Sequence, residues 1–210
     1  MNKLLFIVSV LLFSISSFAF VAPPKNFFNF SAKDIIGNET SFSYFKGKTI
    51  LVVNIATQCG LVTQMKELQE MYEKYAENDF IILGFPSNSF GQEGEDNNSV
   101  KLTCTRNHGI TFPIFEKVDV KGEDAHPVFK FLTSKSENGN IDAPIDWNFH
   151  KFLIDKKGNV VANFKPRTTP TDKIMIQAIE KELGLITAET EPTKGKKTKK
   201  EKKNKKVIEP

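Results

Sequence analysis

Thiols are scarce in this chain: among 210 residues only Cys59 and Cys104 carry one. They lie far apart and position 62 is Val62, so the local C-x-x-C dithiol of a simple disulfide exchanger is excluded. Histidine is nearly as rare. His108, His126 and His150 form no ligand pair at short spacing, so neither a zinc motif nor any other metal-site pattern is present, and no cofactor is expected. No internal repeat occurs. Aromatic residues are absent from the basic C-terminus, which leaves no base-stacking platform and argues against a nucleic-acid partner.

What is there divides into a body and two unusual ends. MNKLLFIVSVLLFSISSFAF places Lys3 before an apolar stretch from Leu4 to Phe13, then small residues up to Ala19. That is the layout of a secretory signal over residues 1–19, with an exported, secreted or periplasmic product. The alternative is an uncleaved membrane anchor, since the run from Leu4 to Ala22 is about as long as a bilayer requires. Residues 191–210 carry nine Lys against three Glu, a net of +6 in a chain whose total is +4, so the remainder is slightly acidic. Such a segment repels itself and buries nothing; a disordered tail is expected, able at most to touch anionic membrane weakly. Residues 20–190 are left as one domain.

Within that domain hydrophobic periodicity predicts the elements. A hairpin or strand pair is expected over Ile35–Phe45, around Gly37-Asn38. Thr49–Ala56 (TILVVNIA) is apolar on both faces and β-branched, the pattern of a strand buried in mid-sheet. Leu61, Met65, Leu68, Tyr72 and Tyr75 recur at helical spacing. Phe80–Phe85 is a second buried strand, so residues 49–85 form a right-handed strand–helix–strand unit. Beyond the turn-rich Pro86–Asn98, a short helix is predicted at Ser99–His108 and a short strand at Val118–Val120. A helix is predicted from Pro127, with proline in its first turn. A hairpin follows on either side of Asp155–Asn159, then a helix from Thr171 to Leu183, stopped at Gly184. The order is that of an α/β thioredoxin-like sandwich, a central mixed β-sheet flanked by helices.

Cys59 then falls just past the end of a central strand and at the start of a helix. Reactive groups of open α/β sheets gather there, and unpaired N–H groups favour a thiolate. Gly60 leaves room beside it. The position fits a reactive thiol, and it also fits a small buried hydrophobe.

Four blocks in order carry a resemblance. VNIATQCGLVTQM resembles the peroxidatic motif of the glutathione peroxidase family, in its cysteine form. LGFPSNSFGQEG resembles its second motif, FPIFEKVDVKGEDAHPVFKFL the segment after it, and WNFHKFLIDKKGNVV with RTTP its Trp-Asn-Phe motif and hairpin. The likeness spans about Phe28 to Leu183. It implies Cys59 as peroxidatic nucleophile, with Gln92, Trp147 and Asn148 as donors. Such neutral N–H groups stabilise a thiolate and a departing oxygen without adding a bulky base. It also implies Cys104 as the resolving cysteine of thioredoxin-dependent members, closing an intramolecular disulfide on the Cys59 sulfenic acid. Against that stand a permanent structural disulfide and a free buried thiol.

The departures carry information as well. Ser87 stands where the family usually has cysteine and Ser89 where glutamine is common, and GQEG is one residue shorter than usual and lacks a proline. Only twelve residues separate Ser134 from Trp147. Tetrameric members are longer there, which implies a monomer. The implied partners are a hydroperoxide, from hydrogen peroxide to organic and lipid hydroperoxides, and as reductant a thioredoxin-like dithiol or glutathione. The reading from another class is a secreted binding or structural domain with an inert disulfide and a basic tail for anionic surfaces.

Overall fold

Asp34 and Asp155 perform the same task at two distant points of the chain. In the structure, a computed structural model describing residues 25–94 and 96–186, strands β1 (Ser31–Lys33) and β2 (Glu39–Ser41) pair antiparallel. The Asp34 carboxylate between them accepts from the N–H groups of Ile36 and Asn38, each at 2.9 Å. Short polar side chains turn the backbone in this way. The predicted hairpin is therefore present, but its strands flank Asp34–Asn38, and Phe42–Phe45 form a 3-10 turn instead. The expected signal and the Lys-rich tail lie outside the described residues.

The main sheet has four strands: β3 (Thr49–Ile55), β4 (Phe80–Pro86), β5 (Lys151–Ile154) and β6 (Val160–Phe164). Their spatial order is β4-β3-β5-β6. β3 runs parallel to β4 and antiparallel to β5, so the sheet is mixed. Asp155 turns β5 into β6, accepting from Lys157 N–H at 2.9 Å and Asn159 N–H at 2.8 Å. Gly158 is required there: φ is +88°, and a Cβ would collide with the Asn26 side chain.

Burial on both faces explains why β3 is apolar on both faces apart from Thr49 and Asn54. Leu51, Val53 and Ile55 face a core made with α1 (Gln64–Tyr75) through Met65, Leu68 and Met71. Ile50 and Val52 face the other core, with Phe27, Phe42, Phe85 and Phe115. Phe85 and Phe115 stack at 4.5 Å between centroids. The remaining helices are α2 (Asn97–Leu102), α3 (Pro127–Thr133), α4 (Lys135–Asn138) and α5 (Lys173–Glu182). α5 closes the first core with Met175 and Ile179, and α3 closes the second with Val128, Phe129, Phe131 and Leu132. Truncating a residue such as Leu51 to Ala costs about 2–5 kcal/mol by leaving a cavity.

Three local expectations are corrected. α1 begins at Gln64 rather than Leu61, because residues 57–63 close a series of turns. Val118–Val120 is not a strand; Val118 N–H donates to Pro86 O at 3.0 Å and Val120 N–H to Ser89 Oγ at 3.1 Å, so the segment is pinned by single bonds and forms no ladder. α5 has Asp172 at its N-cap, where Thr171 was expected.

Candidate active site

The parallel strands β3 and β4 end together, and the antiparallel β5 begins beside them, so three connections meet at one edge of the sheet. The first carries Cys59. Its turn is closed by Cys59 N–H to Ala56 O at 3.4 Å and Val62 N–H to Cys59 O at 2.9 Å. The thiol is 3% exposed, and Leu61 N–H points at its sulfur from 3.4 Å. A single aimed N–H in the turn thus takes the place of the expected helix terminus.

The second connection carries Gln92. Gln58 N–H donates to Gln92 O at 3.0 Å, which ties the neighbour of Cys59 to the neighbour of Glu93. The third carries Trp147 and Asn148. Asn148 is fully buried, and its amide donates to Gln92 Oε1 at 3.2 Å. Its own Oδ1 is buried with no hydrogen-bond partner, which leaves an acceptor available at the site. Trp147 is 40% exposed and lies tilted against Phe90, 5.2 Å between centroids. Lys121 Nζ sits 4.2 Å from the Phe90 ring, completing an amphipathic rim.

One residue of the buried strand organises the third connection. Asn54 donates from its amide to Trp147 O at 3.3 Å and accepts His150 N–H at 2.9 Å on Oδ1. Its backbone carbonyl accepts Phe149 N–H at 2.7 Å. Phe149 is held at φ +64°, an unfavourable conformation for an aromatic residue, and is wholly buried. That kink turns the chain out of β5 and presents Trp147 and Asn148 at the sheet edge. The structure therefore joins Gln92 to Asn148 directly and links the Cys59 turn to Gln92 through backbone. Among the described residues the Cys59 sulfur is bonded by Leu61 N–H, and not by Gln92, Trp147 or Asn148.

Cys104 is placed differently. It follows α2 in a π-helical turn, Thr103–Asn107, and is completely buried in the same core as Cys59. Both cysteines are free thiols. Burial, and then the nearby Glu93 charge, push the Cys104 thiol up to about 12. Buried titratable groups also surround the start of β5. His150 is pushed down to about 4, chiefly by burial and then by Lys165. Lys151 is pushed down to about 7 by burial, while it donates to Gln64, to Pro166 O at 3.3 Å and to Thr168 O at 2.6 Å. Among the described residues no group of three His, Cys, Asp or Glu side chains is placed to hold a metal ion.

Asn54, Thr57 and Glu93 were not singled out from the sequence. The signal for Asn54 was a lone amide inside an apolar strand; Glu93 showed only as the neighbour of Gln92.

The family model described as glutathione peroxidase matches residues 27–133. This chain belongs to the glutathione peroxidase family. A glutathione peroxidase homolog BsaA of Halalkalibacterium halodurans is 50% identical over 142 residues, covering 67% of this chain and 90% of that protein. The glutathione peroxidase-like peroxiredoxin GPX5 of Chlamydomonas reinhardtii is 44% identical over 158 residues, covering 75% and 96%. Among solved structures, that of T. cruzi GPX1 matches with a TM-score of 0.61 at 28% identity, covering 76% of this chain and 97% of that one. The apo crystal structure of Trgpx matches with a TM-score of 0.61 at 34% identity, covering 76% and 96%. The fold is thioredoxin-like, and the family makes the protein a peroxidase, an oxidoreductase acting on hydroperoxides through a thiol.

Proposed function

We propose that this peroxidase works through Cys59 and Cys104 in one cycle. The observation that carries the reading is the convergence at one sheet edge of the Cys59 turn, Gln92 and Asn148, joined by Gln58 N–H to Gln92 O at 3.0 Å and Asn148 Nδ2 to Gln92 Oε1 at 3.2 Å. The Cys59 thiolate attacks the terminal oxygen of ROOH. An S–O bond forms as the O–O bond breaks, and the departing alkoxide takes a proton to leave as ROH. Trp147 and Asn148 supply N–H groups where that charge develops. Cys59, now a sulfenic acid, is attacked by the Cys104 sulfur; water leaves and a disulfide forms. An external dithiol of the thioredoxin type then returns both thiols. Two free cysteines in one core support this assignment over an inert disulfide.

We read residues 1–19 as an export signal for a cycle outside the cytoplasm, and the nine lysines of 191–210 as a weak contact to anionic membrane, where lipid hydroperoxides are a substrate class. The test is a count of free thiols after one equivalent of hydrogen peroxide. Rapid loss of both thiols, abolished by Cys59→Ser, is expected. Slow loss that ignores Cys59→Ser defeats the proposal. Steady-state assays with thioredoxin and with glutathione then decide the reductant.

A further inference from the structure

Glu93 is 6% exposed, yet among the described residues its side-chain oxygens are held by N–H and O–H groups and by no cation. Thr57 N–H approaches both of them at 3.2 Å, the Thr57 hydroxyl donates to Oε1, and Gly94 N–H donates to Oε1 at 2.7 Å. Its own N–H donates to Asn88 Oδ1 at 3.2 Å. We propose that Glu93 is a positioning residue for the peroxide reaction, its buried carboxylate clamping the Thr57 end of the Cys59 turn to the segment that carries Gln92 and leads into the Cys104 helix.

The chemistry of the donors selects a carboxylate. All three donors reach Oε1 and Thr57 N–H also faces Oε2, so both oxygens accept; a glutamine would turn its NH2 toward Thr57 N–H or toward the donors at Oε1. Burying such a charge without a cation is costly unless its hydrogen bonds are complete. The clamp reaches both cysteines. Thr57 lies two residues before Cys59, and Gln92 immediately precedes Glu93. On the other side, a Cβ on Gly94 would stand 3.5 Å from Ser99 Oγ and from Val100 Cγ2. The backbone after Glu93 therefore runs alongside α2, the helix that leads into Cys104. The clamp rests on the proposed role of Cys59 and not on that of Cys104.

The experiment uses the full chain as Glu93→Gln, Thr57→Val and the double variant. Trp147 is the only tryptophan, so its fluorescence in stopped flow reports oxidation by hydrogen peroxide from one site. The second-order rate constant is expected to fall about ten- to a hundredfold in Glu93→Gln, the scale of a misplaced catalytic group. It falls less in Thr57→Val, and no further in the double variant than in Glu93→Gln, because one contact carries both effects. Effects that multiply, or a lowered melting temperature with an unchanged rate, overturn the clamp. If Glu93→Gln does not fold, Thr57→Val alone decides: a lowered rate at an unchanged melting temperature supports the clamp, and an unchanged rate overturns it. A thiol count on the unsubstituted protein separates the premises. If Cys104 survives peroxide, its resolving role fails while the oxidation rates still judge the clamp.

Discussion

Cys59 and Cys104 lie in one apolar core, but they are held in opposite ways. The Cys59 turn is fastened by Leu61 N–H at the sulfur, by Glu93 at Thr57 and by Gln92 at Gln58. Cys104 lies in a π-helical turn, a rare winding that occurs frequently at functional positions. Thr105 Oγ1 even bonds back to Lys101 O at 2.9 Å, a local competitor for helix bonds. Under the proposed cycle this contrast is a division of labour: the nucleophile sits in fixed geometry, and the second thiol sits in a segment that must open to reach it.

The strongest way to break this comparison is to remove each sulfur in turn. Cys59→Ser is expected to abolish peroxide reduction outright. Cys104→Ser is expected to keep the first oxidation at nearly its normal rate and to stop turnover with a dithiol, leaving a sulfenic acid that a dimedone adduct detects by mass. Equal loss in both variants at the first step would mean that the two thiols do not divide the work.

Trp147→Phe keeps the ring against Phe90 and removes the indole N–H. Oxidation of Cys59, followed by thiol loss, is expected to slow about a hundredfold, the scale for one lost donor. Disulfide closure from a preformed sulfenic acid is expected to be unaffected. A change in closure alone would move Trp147 to the Cys104 side of the comparison.

Acid tests the packing behind the rigid side. His150 is 1% exposed and stacks on Phe152 at 4.9 Å, and burial outweighs the Asn163 side chain that faces its ring. Its pKa is about 4 folded against an ordinary 6.5, so between these values the unfolded chain binds the extra proton. Stability is therefore complete above about pH 6.5 and declines as pH falls toward 4, by at most about 3 kcal/mol. Urea titrations across that window check the slope, and His150→Phe is expected to flatten it. The smallest effect belongs to the loose side. Thr105→Ala removes the back-bond and improves helix propensity by a few tenths of a kcal/mol. Disulfide closure is expected to slow by about twofold with Cys59 oxidation unchanged; faster closure would show that the π-helical turn does not limit it.

Much of the scaffold could be read without coordinates, and the reasons are local. TILVVNIA, but for Thr49 and Asn54, and FIILGF are apolar on both faces because both faces are buried, and no amphipathic element has that pattern. Asp155-Lys-Lys-Gly-Asn159 marks its hairpin because the carboxylate and Gly158 are what the turn consumes. Where reading failed, distant partners had decided the outcome. Leu61 matched the helical period, yet residues 57–63 are held in turns, with Thr57 fastened to Glu93, 36 positions further along. Val118–Val120 had strand composition, but Ser89 and Pro86 take its N–H groups singly.

The sequence by itself determined the chemistry on offer: one thiol beside a central strand, a second thiol 45 residues on, and amide and indole donors in ordered motifs. It determined the layers too, because hydrophobic period is a property of neighbouring residues. Tertiary structure alone decided which groups meet. Asn54 orients Trp147 and kinks Phe149 across more than 90 residues, and Glu93 binds the Cys59 turn from another loop. Hydrogen bonds of that span depend on where the sheet brings its ends together, and no spacing along the chain encodes that distance.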